Sequence, residues 1–214
     1  CCVISNANRT HITSTPSVLR VIGSFYHRND YPNRDPRPPR SGAAIAAIGP
    51  ITPANDTTRN TMSGGIKLLH ENPEQKQLVL DDFERVSGLI NETVRYVSPV
   101  IHMRRTSLEE TVIGEQRIGP YEKIALWYGA ANRDPEIFDD PDKFNIMRSN
   151  AEKHLAFGIG RHTCLGKPVA LMQLREFFSQ FLSRFPDYQL TGDWKVAPNN
   201  FVHAIQEIPI RLKK

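Results

Sequence analysis

The sequence predicts an α+β fold that is mainly helical, with small β-sheets at its periphery. Two segments, near residues 86–97 and 167–185, carry apolar residues at helical spacing. Between them, short runs rich in β-branched residues are broken by glycine and proline, which favours small hairpins over one large sheet. At 214 residues with 39% hydrophobic content, the chain can bury one sizeable core.

The first predicted elements are helices. The stretch DTTRNTMSGGIKLLHENPEQ predicts a helix that ends before Asn72, followed by a short helix from Pro73 to about Leu80. In DDFERVSGLINETVRYVSP the apolar residues again recur at helical spacing, with Asp82 as the expected N-cap and Pro99 as the stop. The residues expected on its core face are Val86, Leu89, Ile90, Val94 and Val97.

The later elements alternate strands, loops and one long helix. Short strands, broken at Gly114 and at Gly119, are predicted in VIHMRRTSLEETVIGEQRIGPYEKIALWYGA, and a proline- and aspartate-rich meander follows. A glycine-rich loop then precedes a helix from about Lys167 to Phe185, and short strands near 202–205 and 208–212 close the fold. The expected apolar face of the long helix comprises Val169, Met172, Leu174, Phe177, Phe178, Phe181 and Phe185.

Charge and composition divide the chain in two. The first 50 residues hold six Arg and two Asp, which accounts for the whole net charge of +4, and their proline-rich texture is typical of disorder. We therefore predict a basic segment over residues 1–53, disordered or foreign to the fold, and one domain over residues 54–214. Such a basic arm could also bind nucleic acid, but it lacks interleaved aromatic residues, and no nucleic-acid partner is expected.

Cysteine usage and hydropathy indicate a cytoplasmic protein. No apolar run is long enough to span a bilayer, and no signal peptide is visible at the start of the chain. Three cysteines, two of them adjacent at Cys1 and Cys2, make no disulfide framework. The first residue is not Met, which suggests a fragment or a processed end. Cys164 is left alone in the body of the chain.

The stretch FGIGRHTCLG, residues 157–166, surrounds this cysteine with glycines. Gly158 and Gly160 permit backbone angles closed to other residues, and Gly166 lets the next helix approach something flat and large. Cys164 lies just ahead of the positive end of that helix, where a thiolate is stabilised. Without a second cysteine or a paired histidine nearby, a zinc site is disfavoured, and a lone thiolate on porphyrin-bound iron fits better.

This stretch resembles the haem-ligand loop of the cytochrome P-450 family at every fixed position. Three further stretches agree in order and spacing: NDTTRN resembles the oxygen-activating helix, ETVR the Glu-x-x-Arg helix, and ANRDPEIFDDPDKFNI the approach to the meander. The resemblance covers about residues 54–214. It implies the C-terminal portion of the P-450 fold and a bacterial-type monooxygenase that inserts one oxygen atom of O2 into a C–H bond.

The resemblance also implies roles for residues of the haem site. Cys164 matches the axial ligand of haem b iron, and Phe157 would shield the sulfur. Arg104 and His162 fall where the family contacts the haem propionates, although Arg104 could equally be a solvated strand residue beside Arg105. The remaining matched positions of the loop are Gly158, Gly160 and Gly166.

Two further groups are implied away from the loop. Asp56 and Thr57 match the acid and alcohol pair that supplies protons above the haem. Glu92 and Arg95, which alone suggest a minor exposed ion pair, match a buried structural pair, and Lys143 stands where an arginine usually completes their network. The sequence departs from the family at Pro53 and Ala54, because proline is expected to break an internal helical turn.

The resemblance finally implies partners that this sequence does not contain. No dinucleotide or flavin fingerprint is present, so electrons from NAD(P)H are expected through a separate ferredoxin and ferredoxin reductase. The expected substrate is a small lipophilic molecule. Because family members carry a long region ahead of the oxygen-activating helix, we expect a truncated or frame-shifted fragment. The alternative is a non-catalytic remnant that binds haem weakly or not at all.

Overall fold

The computed structural model describes the backbone of residues 42–212 and the side chains of residues 56–212. In this range it shows a mainly helical α+β fold, as predicted. The helices are α1 (Gly42–Glu71), α2 (Pro73–Asp81), α3 (Val86–Val97), α4 (Tyr128–Ala131) and α5 (Lys167–Arg184). The strands are β1 (His102–Thr106), β2 (Thr111–Ile113), β3 (Gln116–Ile118), β4 (Lys123–Trp127), β5 (Gln189–Leu190), β6 (Lys195–Ala197), β7 (Ala204–Glu207) and β8 (Ile210–Arg211).

The strands of the described range pair into small antiparallel sheets of two strands each. β1 pairs with β4, β2 with β3, β5 with β8, and β6 with β7. The β2–β3 hairpin turns at Gly114, whose φ of +61° suits glycine, so the predicted break is confirmed. The β1–β4 register places Arg104 opposite Ala125.

Helix α1 ends at Glu71, directly before Asn72 and Pro73, as the sequence predicts. It begins at Gly42 and runs through Pro53, where a break was expected. The predicted boundary at residue 53 therefore lies inside a helix. The rest of the basic segment, residues 1–41, lies outside the described residues, and the division into two domains stays a prediction.

Asp82, the predicted N-cap of α3, lies one 3₁₀ turn ahead of the first residue of the helix, Val86. The Asp82 carboxylate accepts a hydrogen bond from the Glu84 N–H at 3.1 Å, so it caps the 3₁₀ turn Phe83–Arg85 that precedes α3. The helix ends at Val97, and its C-cap Ser98 adopts a left-handed conformation with φ of +44°, immediately before Pro99. Proline therefore stops the helix where the sequence predicts.

Helix α5 buries a narrower face than expected. Leu174, Phe178 and Leu182 are fully buried against α1 and α3, whereas Val169 is 53% and Met172 is 64% exposed. At about 100° per residue, Val169 and Met172 lie roughly on the side opposite the buried residues. The prediction that these two residues face the core is wrong, because the periodicity alone does not tell which of two apolar faces packs inward.

The core lies where α1, α3 and α5 meet, with α2 and the meander closing its sides. The side chains of α3 and α5 approach α1 closely at Gly65. A Cβ atom there would lie 2.4 Å from Cζ of Phe178 and 3.0 Å from Cγ2 of Thr93. The buried apolar residues of this cluster are Leu68, Leu69, Val79, Val86, Leu89, Ile90, Val94, Phe144, Ile146, Leu174, Phe178, Leu182 and Tyr188.

Gly65→Ala is expected to lower the free energy of unfolding by about 1–3 kcal/mol, because overpacking outweighs the gain of about 1 kcal/mol in helix propensity. Urea unfolding followed by circular dichroism measures the change. Gly129→Ala is the matched control, since a Cβ atom at Gly129 would meet no atom within 4 Å. Equal stability of the two variants would contradict the packing of α1 against α5.

Candidate functional site

The loop that carries Cys164 is shaped by two left-handed glycines. Gly158 has φ of +72° and Gly160 has φ of +68°, a region that other residues adopt at a cost. Gly160 also begins the 3₁₀ turn Gly160–His162, which leads to the cysteine. The Cys164 N–H donates to the Phe157 carbonyl at 2.8 Å, which closes the loop and holds the cysteine in place.

Cys164 is exposed and lies three residues before α5, as predicted. The Cys164 carbonyl accepts from the Lys167 N–H at 3.2 Å, so the cysteine joins the first turn of that helix. A Cβ atom at Gly166 would meet Sγ of Cys164 at 3.8 Å and no other atom within 4 Å. The space beside the sulfur is thus open to a flat group.

Two large apolar side chains of the cysteine loop are not covered by the described part of the chain. Ile159 is 74% and Leu165 is 94% exposed. Exposed large apolar side chains in the same loop as a thiol are consistent with a surface that binds another group. A thiolate donor, a cradle free of Cβ atoms and an apolar rim are what a haem requires. The residues of this loop therefore fit a haem.

Phe157 is half-buried beside the cysteine, in a position consistent with shielding the sulfur. The Lys167 ammonium lies 5.6 Å from the centroid of the Phe157 ring, and the ring of His154 lies 5.6 Å away on a tilted plane. His154 was not singled out from the sequence. The sequence indicates only that His154 lies three residues before Phe157, and this spacing alone predicts no functional role.

Burial, with a smaller contribution from the Lys167 cation, lowers the pKa of His154 from 6.5 to about 4. Nδ1 of the neutral ring accepts from the Ala156 N–H at 3.3 Å. In the unfolded chain the ring binds a proton below its ordinary pKa of 6.5, whereas in the folded chain it stays neutral down to about pH 4. Above pH 6.5 the His154 ring is neutral in both states and does not lower the free energy of unfolding. As the pH falls from 6.5 toward 4, the unfolded chain binds a proton that the folded chain does not, and the free energy of unfolding decreases.

The parent chain is accordingly expected to be about 2 kcal/mol less stable at pH 5 than at pH 7.5 on account of His154. Urea unfolding at both pH values tests this against His154→Gln, which removes the titrating group. The difference in stability between the two pH values should shrink in the variant. An identical pH dependence of parent and variant would show that His154 is not held neutral.

Glu92 and Arg95 form a fully buried ion pair on α3, and neither side chain has exposed surface. Arg95 donates to both carboxylate oxygens of Glu92 at 2.7 Å. It also donates to the carbonyls of Asn132 at 2.7 Å and of Pro141 at 2.9 Å. The pair is thus buried against the meander, as the resemblance implies, and is not the minor exposed pair that the two residues alone suggest.

The third member of this network is Arg148, not Lys143. Nε of Arg148 donates to the two oxygens of Glu92 at 3.3 and 3.2 Å. Lys143 contributes only its main-chain carbonyl, which accepts from Arg148 at 3.0 Å and from Arg95 at 3.4 Å. The structure therefore corrects the assignment of Lys143, because the meander turns back and brings a guanidinium from five residues further along.

Asp56 and Thr57 lie on α1 and are both half-buried. The Asp56 carboxylate pairs with the Arg59 guanidinium at 3.2 Å. The Thr57 carbonyl accepts from the Thr61 hydroxyl at 2.9 Å. Helix α1 packs against α3 and against α5, so the acid and the alcohol lie on a helix that contacts the one following the cysteine loop.

Arg104 and His162, the two predicted propionate contacts, are both exposed. Arg104 lies on β1, and His162 ends the 3₁₀ turn of the cysteine loop. Side chains alternate along a strand, so Arg104 and Arg105 project from opposite faces of the β1–β4 sheet. Their role as propionate contacts stays a prediction.

Comparisons with known proteins agree on one family. The family model for cytochrome P-450 matches residues 51–208. Linalool 8-monooxygenase of Pseudomonas putida is 37% identical over 158 residues, which cover 74% of this chain and 39% of the relative. Steroid C26-monooxygenase of Mycolicibacterium smegmatis is 39% identical over 158 residues, which cover 73% of this chain and 39% of the relative.

Solved structures give the same picture. A cytochrome P-450 of Novosphingobium aromaticivorans matches with a TM-score of 0.73 and 37% identity, covering 80% of this chain and 42% of that structure. The tirandamycin C-bound monooxygenase TamI matches with a TM-score of 0.74 and 32% identity, covering 81% of this chain and 43% of that structure. The chain spans about two-fifths of the length of the curated relatives it matches.

Proposed function

Since the chain belongs to the cytochrome P-450 family, we propose that it carries the haem-ligating part of a monooxygenase, with Cys164 as the axial ligand of haem b. The observation that supports this most directly is the exposed Cys164, which the loop with left-handed Gly158 and Gly160 presents just ahead of α5. When bound, haem activates dioxygen with electrons from a partner and supplies one oxygen atom to a substrate C–H bond.

The start of α5 places positive charge beside the cysteine loop. The N-terminus of α5, three residues after Cys164, carries partial positive charge from its unpaired N–H groups. The Lys167 ammonium lies over Phe157, the residue whose carbonyl holds the Cys164 amide. Positive charge at the loop suits the anionic iron ligand that the proposed site requires.

Asp56 and Thr57 are proposed to hold and pass protons to the reacting side of the haem. A hydroxyl can orient a water molecule and relay its proton, and a carboxylate can resupply that proton. The Asp56 side chain is 45% exposed, and its ion pair with Arg59 on the helix surface is weak. The carboxylate can therefore leave the pair and exchange protons with solvent. Arg104 and His162 are proposed to neutralise the two propionates.

Electrons are proposed to come from NAD(P)H through a ferredoxin reductase and an acidic ferredoxin. Lys153, Arg161 and Arg175 are exposed around the cysteine loop and the first turns of α5, and Lys167 is half-buried beside them. Four cations that precede, occupy and follow the cysteine loop in the sequence would attract an acidic partner. Transfer rates that fall with rising ionic strength would support this docking surface, and rates indifferent to salt would exclude it.

The proposed substrate is a small lipophilic molecule. Relatives of this chain are named for linalool, steroid and methyl-branched lipid oxidation, and these compounds are largely apolar. Their shared chemistry favours terpenoid, sterol or fatty acyl substrates for the protein. A turnover panel of these three classes tests the assignment, and product from none of them would remove it.

The second candidate function is a non-catalytic remnant that binds haem weakly or not at all. It is favoured by the exposed apolar side chains of Ile159 and Leu165, which the described part of the chain leaves uncovered. The ferrous-CO difference spectrum of the chain, expressed with ample haem precursor, separates the two. A strongly red-shifted Soret band supports thiolate ligation, whereas loss of haem on a desalting column supports the remnant.

A further inference from the structure

Asn132, the residue after α4, is completely buried and forms hydrogen bonds through both its main chain and its side chain. Its N–H donates to the Tyr128 carbonyl at 2.9 Å, and its carbonyl accepts from Arg95 at 2.7 Å. The side-chain amide donates to the Ser98 hydroxyl at 2.8 Å and accepts from the Leu155 N–H at 2.6 Å. One residue thus joins the end of α3, α4 and the segment that enters the cysteine loop.

Two further main-chain hydrogen bonds connect the Leu155 segment to Cys164. The Leu155 carbonyl accepts from the Gly158 N–H at 2.8 Å, which forms the turn that carries Phe157. The Phe157 carbonyl then accepts from the Cys164 N–H at 2.8 Å. An unbroken series of hydrogen bonds therefore runs from the buried Arg95, through Asn132, to the amide of Cys164.

We propose that Asn132 is a positioning residue that fixes the entry of the cysteine loop and so the place of Cys164. The effect of Asn132 on the haem rests on the proposed function, whereas its effect on the position of the cysteine loop concerns this chain alone. The decisive contact is the one between Oδ1 of Asn132 and the Leu155 N–H, because it is the side-chain bond that reaches the loop.

The chemistry of this position explains why an amide stands there. The Ser98 hydroxyl donates its hydrogen to the Arg95 carbonyl at 2.8 Å, so it must accept from Asn132. The Leu155 N–H requires an acceptor. A planar amide supplies the donor and the acceptor together, whereas aspartate supplies only the acceptor and alanine supplies neither.

The first test is hydrogen exchange of backbone amides in the full chain. Asn132→Ala should speed exchange at Leu155, Gly158 and Cys164 by about tenfold or more, because the loop entry loses its anchor. Asn132→Asp, which keeps the acceptor, should preserve slow exchange at these amides. Ser98→Gly is the matched control: it removes the other side-chain bond and suits the left-handed backbone at φ of +44°.

Exchange unchanged in Asn132→Ala would overturn the proposal, as would equal acceleration in Ser98→Gly. If circular dichroism shows that Asn132→Ala does not fold, Asn132→Asp and Ser98→Gly decide the question. Slow exchange at Leu155 and Cys164 in both variants supports the proposal, and loss of it in Asn132→Asp overturns it.

The second test is the ferrous-CO difference spectrum of the haem-loaded parent and variants. Asn132→Ala should shift a large share of the red-shifted Soret band to the unshifted position, and Asn132→Asp should restore it. A fully retained red-shifted band in Asn132→Ala overturns the role of Asn132 at the haem. If the parent itself shows no such band, the proposed function fails, while the exchange measurements still decide whether Asn132 positions the loop.

Discussion

Cys164→Ser is expected to lose the red-shifted Soret band of the ferrous-CO complex completely. A serine hydroxyl remains protonated near neutral pH and cannot replace a thiolate as the electron-donating ligand. The fold should survive, because residue 164 is exposed and its loop contact uses the main-chain N–H. The ferrous-CO difference spectrum of the variant measures the loss, and circular dichroism of the parent and the variant checks that the fold is kept.

The chain supplies its own control for this experiment. Its other cysteines are Cys1 and Cys2, and the double variant Cys1→Ser, Cys2→Ser should keep the red-shifted band. A band that persists in Cys164→Ser but disappears in the double variant would assign the ligand to the first residues of the chain. That result would overturn the proposed role of the glycine loop.

Arg95→Met is expected to lower the free energy of unfolding by about 3–5 kcal/mol. Glu92 would remain fully buried with Arg148 as its cationic partner, but it would lose the two 2.7 Å bonds that Arg95 supplies. The carbonyls of Asn132 and Pro141 would lose their guanidinium donor as well. Removing one partner of a buried pair is costly because the other charge stays away from water. Urea unfolding at neutral pH measures the loss.

Lys143→Met and Arg59→Met are the controls for this variant. The Lys143 side chain takes no part in the network with Glu92, and Arg59 belongs to a solvent-exposed pair with Asp56. Both replacements should change stability little, since exposed ion pairs contribute little. A loss for Lys143→Met as large as that for Arg95→Met would reinstate Lys143 as the third member of the network.

Much of the secondary structure follows from local sequence. The end of α1 before Asn72, the stop of α3 at Pro99 and the start of α5 at Lys167 all agree with the predicted boundaries. These boundaries depend on proline and on capping residues, whose effects act within a few residues. The burial of α5 was predicted less well, because Val169 and Met172 are apolar yet exposed.

The candidate site also has one part that local sequence predicts and one part that it does not. The cysteine loop could be predicted because its glycines, its cysteine and the following helix are contiguous in sequence. The network around Glu92 could not be predicted in full, since Arg148 and Asn132 lie 56 and 40 residues away and carry no local signature. Only the return of the meander brings their hydrogen-bonding groups to α3.

The sequence by itself determined the family, the ends of α1 and α3 and the start of α5, and it singled out Cys164 as the candidate ligand. These depend on short-range periodicity, caps and one contiguous motif. The tertiary structure decided that the Glu92–Arg95 pair is buried, that Arg148 rather than Lys143 completes it, and that Asn132 connects it to Cys164. Burial and long-range hydrogen bonds depend on which segments meet in space, and this is fixed only when the whole core packs.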